Sequence, residues 1–359
     1  MNQQNNSQDS LFEEELKVKK FNAKKVWLWI LLSIFSVILI VAIILTILVQ
    51  MGKTSLLGHN NVTLETDNTV SDVEILEDNT VIYNDEKYVY NKNVTSVLCI
   101  GIDKFKFQSN ASGENGQADA LFLAALDTKT GRSCIIPIPR DSMAEIDYYS
   151  QSGSYIGIRK SQICLAYAYG DGKHTSCENT AKAVSRMFYG IPVDSYIAID
   201  MDAIGVLTQR VGGVEVILPE DMEIQKRYYK KGSKITLSGD MALDFVMKRN
   251  DDITASLSRM ARQRQFIGQF SAKAIEKTKK DITAPIGLFK AIMPYMVTDL
   301  DVADVSFLTS CFMGSKAGEK IEYKQILGEA KQPGEYVEYI YDQKSVYDII
   351  LDVYYNKVD

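Results

Sequence analysis

The sequence has few of the histidine and cysteine residues that bind zinc and other transition metals. Its 359 residues include two histidines, His59 and His174, which are too few for a histidine-rich metal site. The five cysteines are scattered and form no CxxC pair, so a zinc ribbon is not expected. The formal net charge is -6, which argues against nucleic-acid binding through bulk positive charge. Any anion would have to be bound by a local cluster of arginine or lysine.

Charged side chains are absent from Val26 to Gln50, a run of 25 residues rich in Leu, Ile and Val. As a helix this run would be about 37 Å long, more than a hydrocarbon core of about 30 Å. Trp27 and Trp29 lie near one end, where an interfacial indole is favourable. We therefore predict a transmembrane helix. The alternative, a cleaved signal peptide, is disfavoured by the length of the run and by the lack of a small-residue cleavage site after it.

The distribution of lysine around this run predicts its orientation. Five lysines precede the run and only Lys53 follows closely, so the N-terminus is expected in the cytoplasm and the rest outside. The sequence thus predicts a single-pass protein of the cell membrane. Its parts are a cytoplasmic tail (1–25), a transmembrane helix (26–50), a polar stalk (51–93) and an extracytoplasmic domain (94–359). The preceding lysines are Lys17, Lys19, Lys20, Lys24 and Lys25.

From Val94 onward, short apolar runs alternate with helical patterns, which is typical of an α/β fold. We predict a layered α-β-α domain with a central mixed sheet. Ala120–Leu126 and Cys134–Ile138 are joined by a Thr-Gly turn and are expected to be neighbouring strands. Val97–Ile102 is a third strand, and Leu257–Lys279 is a long helix. Further predicted elements are a hairpin near Val81–Tyr90, helices at Gln162–Tyr169, Asn179–Phe188, Asp202–Val211, Ser238–Met247, Gly287–Val297 and Lys344–Tyr355, and strands at Ser195–Ile199 and Gly213–Leu218.

Charged residues stand at the ends of two of these strands. Asp119 precedes one strand, and Arg140 and Asp141 follow the next. In α/β folds ligands bind at strand ends. A lone aspartate at a strand edge, such as Asp119, is most often a turn or cap residue. Arg140 and Asp141 could likewise form an ordinary surface pair.

A second group of polar residues surrounds the start of the long helix. Arg259 and Gln263 are four residues apart and share a face, with Arg262 close by. The helix N-terminus also favours an anion. The alternative is an amphipathic surface helix with solvated charges. The polar turn before the helix carries Arg249, Asp251 and Asp252, and the apolar stripe beyond it carries Phe266, Ile267, Phe270 and Ala274.

These features are compatible with a phosphate-containing lipid as ligand. The carboxylates of Asp119 and Asp141 could hold Mg²⁺ through oxygen atoms. Arginines could bind phosphate oxygens in a bidentate manner. An apolar cavity beside them would suit a lipid tail. The spacing of the residues leaves this arrangement open.

In order and spacing, six short segments resemble the LytR-CpsA-Psr family of Gram-positive envelope phosphotransferases. The resemblance covers about Val94 to Tyr355. It implies transfer of a glycopolymer, such as teichoic acid or capsular polysaccharide, from a polyprenyl-pyrophosphate carrier to peptidoglycan. The expected partners are this lipid-linked glycan, peptidoglycan and membrane lipid, and no nucleic acid. The segments are Gln117–Leu121, Ile136–Ser142, Ala166–Gly170, Val211–Val214, Leu237–Leu243 and Arg259–Gln263.

The resemblance also implies roles for individual residues. Asp119 and Asp141 would coordinate Mg²⁺, with Mn²⁺ as the alternative ion, and the prenyl chain would lie in an apolar tunnel. The expected catalytic residues are Arg140, Asp141, Arg249 and Arg259. The expected substrate-binding residues are Arg140, Arg249, Arg259, Arg262 and Gln263.

The sequence departs from the family pattern at the presumed phosphate site. Met247 replaces the first arginine of an Arg-x-Arg pair, and Ser256 replaces an aspartate. A lost charged contact costs about 1.5–3 kcal/mol, and a lost acid–base group costs about 10²–10⁴ in rate. Asp251 or Asp252 could substitute. Three functions therefore remain open: an active transferase, a weakened homologue that binds lipid pyrophosphate or acts as an envelope regulatory factor, and a hydrolase that uses water as acceptor.

The cysteines offer one structural hypothesis. Cys99 and Cys134 lie in apolar runs and are expected to be inert core residues. Cys164 and Cys177 lie in the predicted exported part and could form a disulfide, or both could remain free thiols. No histidine is placed to activate a cysteine nucleophile.

Overall fold

The computed structural model describes residues 36, 42–57, 62, 64–65, 73–77, 79–103, 116–150, 152–248, 255–313 and 321–358. The chain divides into two units, Met1–Ile47 and Leu48–Asp359. The predicted cytoplasmic tail and most of the predicted transmembrane helix lie outside the described residues. Residues 42–56 are helical. Of the helices that the structure describes, none combines the length and the apolar character needed to cross a membrane.

The larger unit contains both strands and helices. Its helices are α1 (His174–Met187), α2 (Asp202–Arg210), α3 (Asp240–Met247), α4 (Ala255–Lys280), α5 (Ala284–Ile292), α6 (Val302–Met313) and α7 (Gln343–Tyr354), with 3₁₀ segments at Ile163–Tyr169 and Met293–Tyr295. Its strands are β1 (Val73–Ile75), β2 (Val81–Tyr83), β3 (Glu86–Tyr90), β4 (Val94–Ile102), β5 (Ala118–Asp127), β6 (Ser133–Ile138), β7 (Met143–Tyr149), β8 (Tyr155–Gln162), β9 (Ser195–Asp200), β10 (Val214–Ile217), β11 (Met222–Ile224), β12 (Arg227–Tyr229), β13 (Lys234–Leu237), β14 (Met296–Thr298), β15 (Ile321–Tyr323), β16 (Gly328–Lys331), β17 (Glu338–Tyr341) and β18 (Tyr355–Val358).

The central sheet in the described residues has the strand order β14-β9-β4-β5-β6-β15. β4 runs parallel to β9, and β6 runs parallel to β15, whereas the other neighbours are antiparallel. The predicted mixed α/β fold with a central mixed sheet is therefore confirmed. The predicted pairing of the second and third apolar runs is also confirmed, with Leu121 opposite Ile138. In the turn between them the carboxylate of Asp127 accepts the N–H groups of Lys129 and Thr130.

Helices cover both faces of this sheet. On one face the buried side chains of β4, β5 and β6 share a core with α1 and α7, for example Leu98, Leu121, Ile136, Val184 and Ile350. On the other face lies α4. Strands that are covered on both sides read as continuous apolar runs, which is why the sequence revealed them.

The segment predicted as a polar stalk is folded onto the domain wherever it is described. The predicted hairpin is present as β2 and β3, with positive φ angles at Asn84 and Asp85 in its two-residue turn. β3 pairs with the C-terminal strand β18. Val62 and Leu64 belong to the main core. The apolar residues of this region alternate with polar ones, so its composition resembled that of a linker although one face is buried.

Several predicted helices differ in the structure. The helix predicted from Asn179 begins at His174 as α1, and the helix predicted at Gln162–Tyr169 is a 3₁₀ segment. The helix predicted at Gly287–Val297 ends as α5 at Ile292, because Pro294 cannot continue an α-helix. The chain then enters β14, which pairs with β9. The helix predicted to open at Ser238 begins at Asp240, after Gly239 with a φ angle of 55°.

The helical residues from Leu48 onward pack against α6. A Cβ atom at Gly52 would overlap the carbonyl group of Ala303 and the Cβ atom of Phe307. Glycine therefore allows the two helix backbones to approach closely at this point. The close approach fixes this segment on the helix that also forms part of a large apolar cavity described below.

Candidate active site

Asp119 and Arg140 face each other across two neighbouring strands. The antiparallel register of β5 and β6 pairs Leu121 with Ile138. Continued by two residues, this register brings the beginning of β5 opposite the residue that follows β6. The Nη1 atom of Arg140 donates a hydrogen bond to Oδ1 of Asp119, and the two groups form an ion pair. Asp119, near the start of β5, and Arg140, just after the end of β6, thus become direct partners.

The guanidinium group of Arg140 also contacts three further side chains. Its Nε atom lies 3.4 Å from Oδ1 of Asp141. Its Nη2 atom donates to Oε1 of Gln117 and lies 3.6 Å from Sγ of Cys164. Arg140 therefore lies between two carboxylates. Gln117 and Cys164 were not predicted as site residues. The position of Gln117, two residues before Asp119 and so on the same strand face, was the signal that could have revealed it.

The loop that carries Arg140 and Asp141 is held by backbone hydrogen bonds. The N–H of Tyr339 donates to the carbonyl of Asp141 at 2.8 Å, and the N–H of Cys164 donates to the carbonyl of Arg140 at 3.1 Å. The side chain of Gln162 lies 3.4 Å from Oδ1 of Asp141. These contacts come from distant parts of the chain. They fix the direction in which the two charged side chains point.

Helix α4 brings a second arginine to Asp119. The Nη2 atom of Arg259 donates to the backbone carbonyl of Asp119 at 3.0 Å and lies 3.5 Å from its Oδ1 atom. Arg259 is 5% exposed. Gln263, one turn further along the same face, donates to the carbonyl of Val246 at 3.3 Å. The structure therefore brings together Asp119, Arg140, Asp141 and Arg259, with Gln263 beside them.

Arg262 points to a different side of α4. Its guanidinium group donates to Glu220 at 2.6 Å and to the carbonyls of Phe245, at 3.2 Å, and Lys248. The side chain is 1% exposed, and this burial lowers the pKa of Arg262, an effect that Glu220 opposes. Arg262 thus ties the end of α3 to α4, whereas Arg259 reaches Asp119.

Three positions from the sequence analysis concern the turn between α3 and α4. Arg249 and the side chain of Ser256 lie outside the described residues. Met247 is half-buried and packs against the smaller apolar core, which contains Phe245 and Phe266. At the position of the family's first arginine, this chain therefore has an apolar packing residue.

Two adjoining apolar cavities lie between α4 and the central sheet. The first has a volume of about 300 Å³ and begins at Ala120 and Gln263, next to Asp119 and Arg259. The second has a volume of about 340 Å³ and extends to Leu308 and Phe312 of α6. The two share a wall, and together they are called the apolar tunnel. The shared wall consists of Ala124, Ile135, Phe270 and Ser271.

The oxygen donors at the site fit a cation that keeps part of its hydration shell. Asp119 and Asp141 both lie within reach of one guanidinium group, and each keeps some solvent exposure. Among the described residues no group of three or more His, Cys, Asp or Glu is placed to hold a metal ion. Mg²⁺ commonly binds to one or two carboxylates and takes its other oxygens from water and substrate phosphates. The donor set therefore matches Mg²⁺ or Mn²⁺ better than zinc.

The cysteines form no disulfide. All five are free, including the buried Cys164 and Cys177, so the hypothesis of a bridge between these two is wrong. Burial raises the pKa of both thiols. Cys177 belongs to the main core, as does Cys164, which also contacts Arg140.

Comparison with known proteins identifies the family. A model of the LytR_cpsA_psr family matches residues 57–351. The chain belongs to this family. Among curated LytR-CpsA-Psr proteins it is similar to two polyisoprenyl-teichoic acid–peptidoglycan teichoic acid transferases. TagV of Bacillus subtilis is 29% identical over 182 residues, which are 49% of this chain and 42% of TagV. TagU of Bacillus licheniformis is 27% identical over 264 residues, which are 73% of this chain and 78% of TagU.

The first of these matches spans less than half of the relative's length, and a TagU of Bacillus cereus is matched over 53% of its length. Solved structures show the same fold. The crystal structure of B. subtilis TagV has a TM-score of 0.56 at 23% identity and covers 72% of this chain and 94% of that one. TagT bound to LI-WTA has a TM-score of 0.55 at 22% identity and covers 82% and 98%.

Proposed function

We propose that this protein is a membrane-anchored phosphotransferase. It would move a glycopolymer, of the teichoic acid or capsular type, from a polyprenyl-pyrophosphate carrier to peptidoglycan. The observation that carries the proposal is the position of Arg140. It lies between Asp119 and Asp141, and the apolar tunnel is lined by Ala120, the residue after Asp119. The names of TagV and TagU as teichoic acid transferases support the choice of polymer class.

The arginines would bind the pyrophosphate. Guanidinium groups bind phosphate oxygens in a bidentate manner, and Arg140 and Arg259 meet at the same carboxylate. Arg249 would contribute a third positive charge and Gln263 a polar contact. Arg262 would act as a positioning residue, because its guanidinium group is buried among Glu220 and two carbonyl groups.

The charge balance favours a divalent cation as cofactor. Among the described residues, the two carboxylates of Asp119 and Asp141 offset the charges of Arg140 and Arg259. A bound pyrophosphate would therefore leave net negative charge at the site. Mg²⁺ or Mn²⁺, held by Asp119 and Asp141, would neutralise that charge on the phosphoryl oxygens as it develops.

The prenyl chain would occupy the tunnel. Each buried methylene group contributes about 0.8 kcal/mol, so burial of the prenyl chain in the tunnel would provide much of the affinity for the donor. The second cavity is bounded by α6, the helix on which residues from Leu48 onward pack. Such a path would lead from the charged site toward α6.

The reaction exchanges a phosphoanhydride bond for a phosphoester bond. An acceptor hydroxyl oxygen attacks the glycan-side phosphorus, and the bond from this phosphorus to the bridging oxygen breaks. Prenyl monophosphate leaves, and the hydroxyl proton passes to solvent. Arg140 and Arg259 would stabilise the charge on the oxygens during this exchange.

We also propose a location for the protein. The uncharged run from Val26 to Gln50 would span the cell membrane once. The five lysines before it would keep the N-terminus in the cytoplasm and the folded domain outside. A lipid-linked donor and peptidoglycan are both available on that side.

The second candidate function is a binding protein for lipid pyrophosphate, or an envelope regulatory factor, without turnover. It is favoured by Met247, which contributes packing in place of a charge, and by Ser256 in place of an aspartate. In such a protein Arg140, Arg259 and the tunnel would still form the binding site. The donor would bind, but no product would form.

One assay separates these functions. The full chain in detergent is incubated with a prenyl-pyrophosphate glycan, peptidoglycan and Mg²⁺, and prenyl phosphate and peptidoglycan-bound glycan are measured. The transferase predicts both products, and their loss in Arg140→Ala or with chelator. Prenyl phosphate with free glycan phosphate indicates hydrolysis. Donor binding without either product indicates the binding protein and contradicts the transferase.

A further inference from the structure

A second large cleft lies on the other side of α4. Its volume is about 670 Å³, and unlike the tunnel it is lined by several polar side chains. The cleft is bounded by α4, by β6 and β15 of the central sheet, and by the β16–β17 hairpin. Its polar and aromatic lining residues are Arg264, Gln265, Gln269, Gln325, Tyr323 and Tyr339.

The lining presents amide, guanidinium and aromatic groups but no carboxylate. The guanidinium carbon of Arg264 lies 5.0 Å from the centre of the Tyr323 ring. The hydroxyl group of Tyr323 is buried and has no hydrogen-bond partner among the described residues. A Cβ atom at Gly268 would lie 3.2 Å from this hydroxyl, so glycine lets the Tyr323 ring pack closely against α4. The cleft thus has an apolar surface with hydrogen-bonding groups around it.

The cleft and the tunnel lie against different faces of α4. Leu257 and Met260 line the cleft, whereas Gln263 and Ile267 on another face of α4 line the tunnel. Tyr339 lines the cleft and donates its N–H to the carbonyl of Asp141. The tunnel and the cleft therefore flank the same helix, and the wall of the cleft is joined to the loop of Asp141 through Tyr339.

We propose that this cleft binds the saccharide of the acceptor, an N-acetylated glycan strand of peptidoglycan. The inference rests on the proposed phosphotransfer. In a displacement at phosphorus the attacking and leaving oxygens lie in line. With the prenyl phosphate leaving toward the tunnel, the acceptor hydroxyl has to arrive from a side away from the tunnel, and the cleft on the other flank of α4 would hold its saccharide.

The chemistry of the lining fits a sugar of this kind. Glutamine amides both donate and accept hydrogen bonds, as hydroxyl and acetamido groups require. The single charge, on Arg264, suits a neutral glycan or one that carries a carboxylate. The donor's own glycan is a second source of sugar hydroxyl groups. The experiment therefore compares a soluble peptidoglycan disaccharide-peptide with the lipid-free glycan phosphate of the donor.

The test uses the full chain and three variants of the cleft. Gln269→Ala and Gln325→Ala each remove one hydrogen-bonding side chain, and Ala261→Phe fills space at an exposed position that lines the cleft. Lys273→Ala, on α4 but outside the cleft lining, is the control. Calorimetry measures the affinity for both saccharides, and the transfer assay measures KM for peptidoglycan and affinity for the donor.

The proposal predicts that the cleft variants weaken binding of the acceptor without changing affinity for the donor. Each glutamine variant weakens disaccharide-peptide binding three- to tenfold and raises KM for peptidoglycan by the same factor, with donor affinity unchanged. Ala261→Phe removes disaccharide-peptide binding. Unchanged binding in Ala261→Phe overturns the proposal, as does binding of only the donor glycan. If the wild type binds the disaccharide-peptide in the cleft but forms no product, the cleft assignment stands and the proposed function fails.

Discussion

The buried guanidinium group of Arg262 forms an ion pair with Glu220, with 2.6 Å between Nη1 and Oε1. This guanidinium group does not contact Asp119, because its other nitrogens donate to the carbonyls of Phe245 and Lys248. Two residues further along α4, Arg264 is exposed and stacks on Tyr323. The helix therefore offers two arginines in contrasting environments.

We expect Arg262→Ala to destabilise the protein and Arg264→Ala to leave its stability nearly unchanged. Loss of Arg262 leaves two carbonyl groups without their donors and a partly exposed Glu220, at a cost of about 2–3 kcal/mol. The exposed Arg264 should contribute less than about 1 kcal/mol. Urea denaturation of the two variants measures the difference. Equal midpoints would contradict the structural role of Arg262.

A bulky side chain at Ala124 should block the tunnel. Ala124 lines both cavities, so the indole of Ala124→Trp would fill space in them. We expect affinity for a long-chain prenyl pyrophosphate to fall at least tenfold, and affinity for a short-chain donor to change little. Ala124→Ser, whose side chain is close in size to the wild-type alanine, is the control. Equal loss for both chain lengths would argue that the tunnel does not hold the distal part of the prenyl chain.

Much of the central sheet could be predicted from the sequence. Runs such as Ala120–Leu126 and Cys134–Ile138 are buried on both faces and bounded by a turn, so pattern and position agree with β5 and β6. The β7–β8 hairpin was missed, because the residues of β8 are mostly exposed or half-buried and show no regular alternation. The strands near the C-terminus were missed because each has only three or four residues.

The candidate site could be predicted only in part. Asp119, Arg140 and Asp141 follow from two strand ends and the register between them. The different orientations of Arg259 and Arg262 were not predictable, because both lie near the start of one helix and the choice depends on what packs there. Only the structure places Glu220, from the loop after β10, beside Arg262.

The thiols should be unreactive in the folded protein. Burial raises the pKa of Cys99 to about 11 and that of Cys134 to about 12, and it also raises the pKa values of Cys164, Cys177 and Cys311. Because the thiolate is the reactive form, a raised pKa keeps each thiol protonated near neutral pH. We expect maleimide labelling at pH 7 to be slow until urea is added. Five labels after denaturation would also verify that no disulfide is present. Rapid labelling of Cys164 in the native protein would contradict its burial.

Restoring the family's aspartate should increase turnover. Ser256 stands three residues before Arg259, where an acid–base group would contribute about 10²–10⁴ in rate. We expect Ser256→Asp to raise the single-turnover rate of transfer, and Ser256→Asn, which is similar in size but cannot exchange a proton, to leave it unchanged. An equal rate for all three proteins would indicate that another group, such as Asp251 or Asp252, already performs this role.

The fate of the phosphorus atom tests the central claim most directly. The donor is prepared with ³²P in the glycan-side phosphate, and the full chain is incubated with it, Mg²⁺ and peptidoglycan. Phosphotransfer at Arg140, Asp119 and Asp141 predicts ³²P in the peptidoglycan fraction, joined to the glycan, and none there with Arg140→Ala. Glycan on peptidoglycan with all ³²P left on the lipid would mean that the glycan–oxygen bond is broken instead, and would contradict the account.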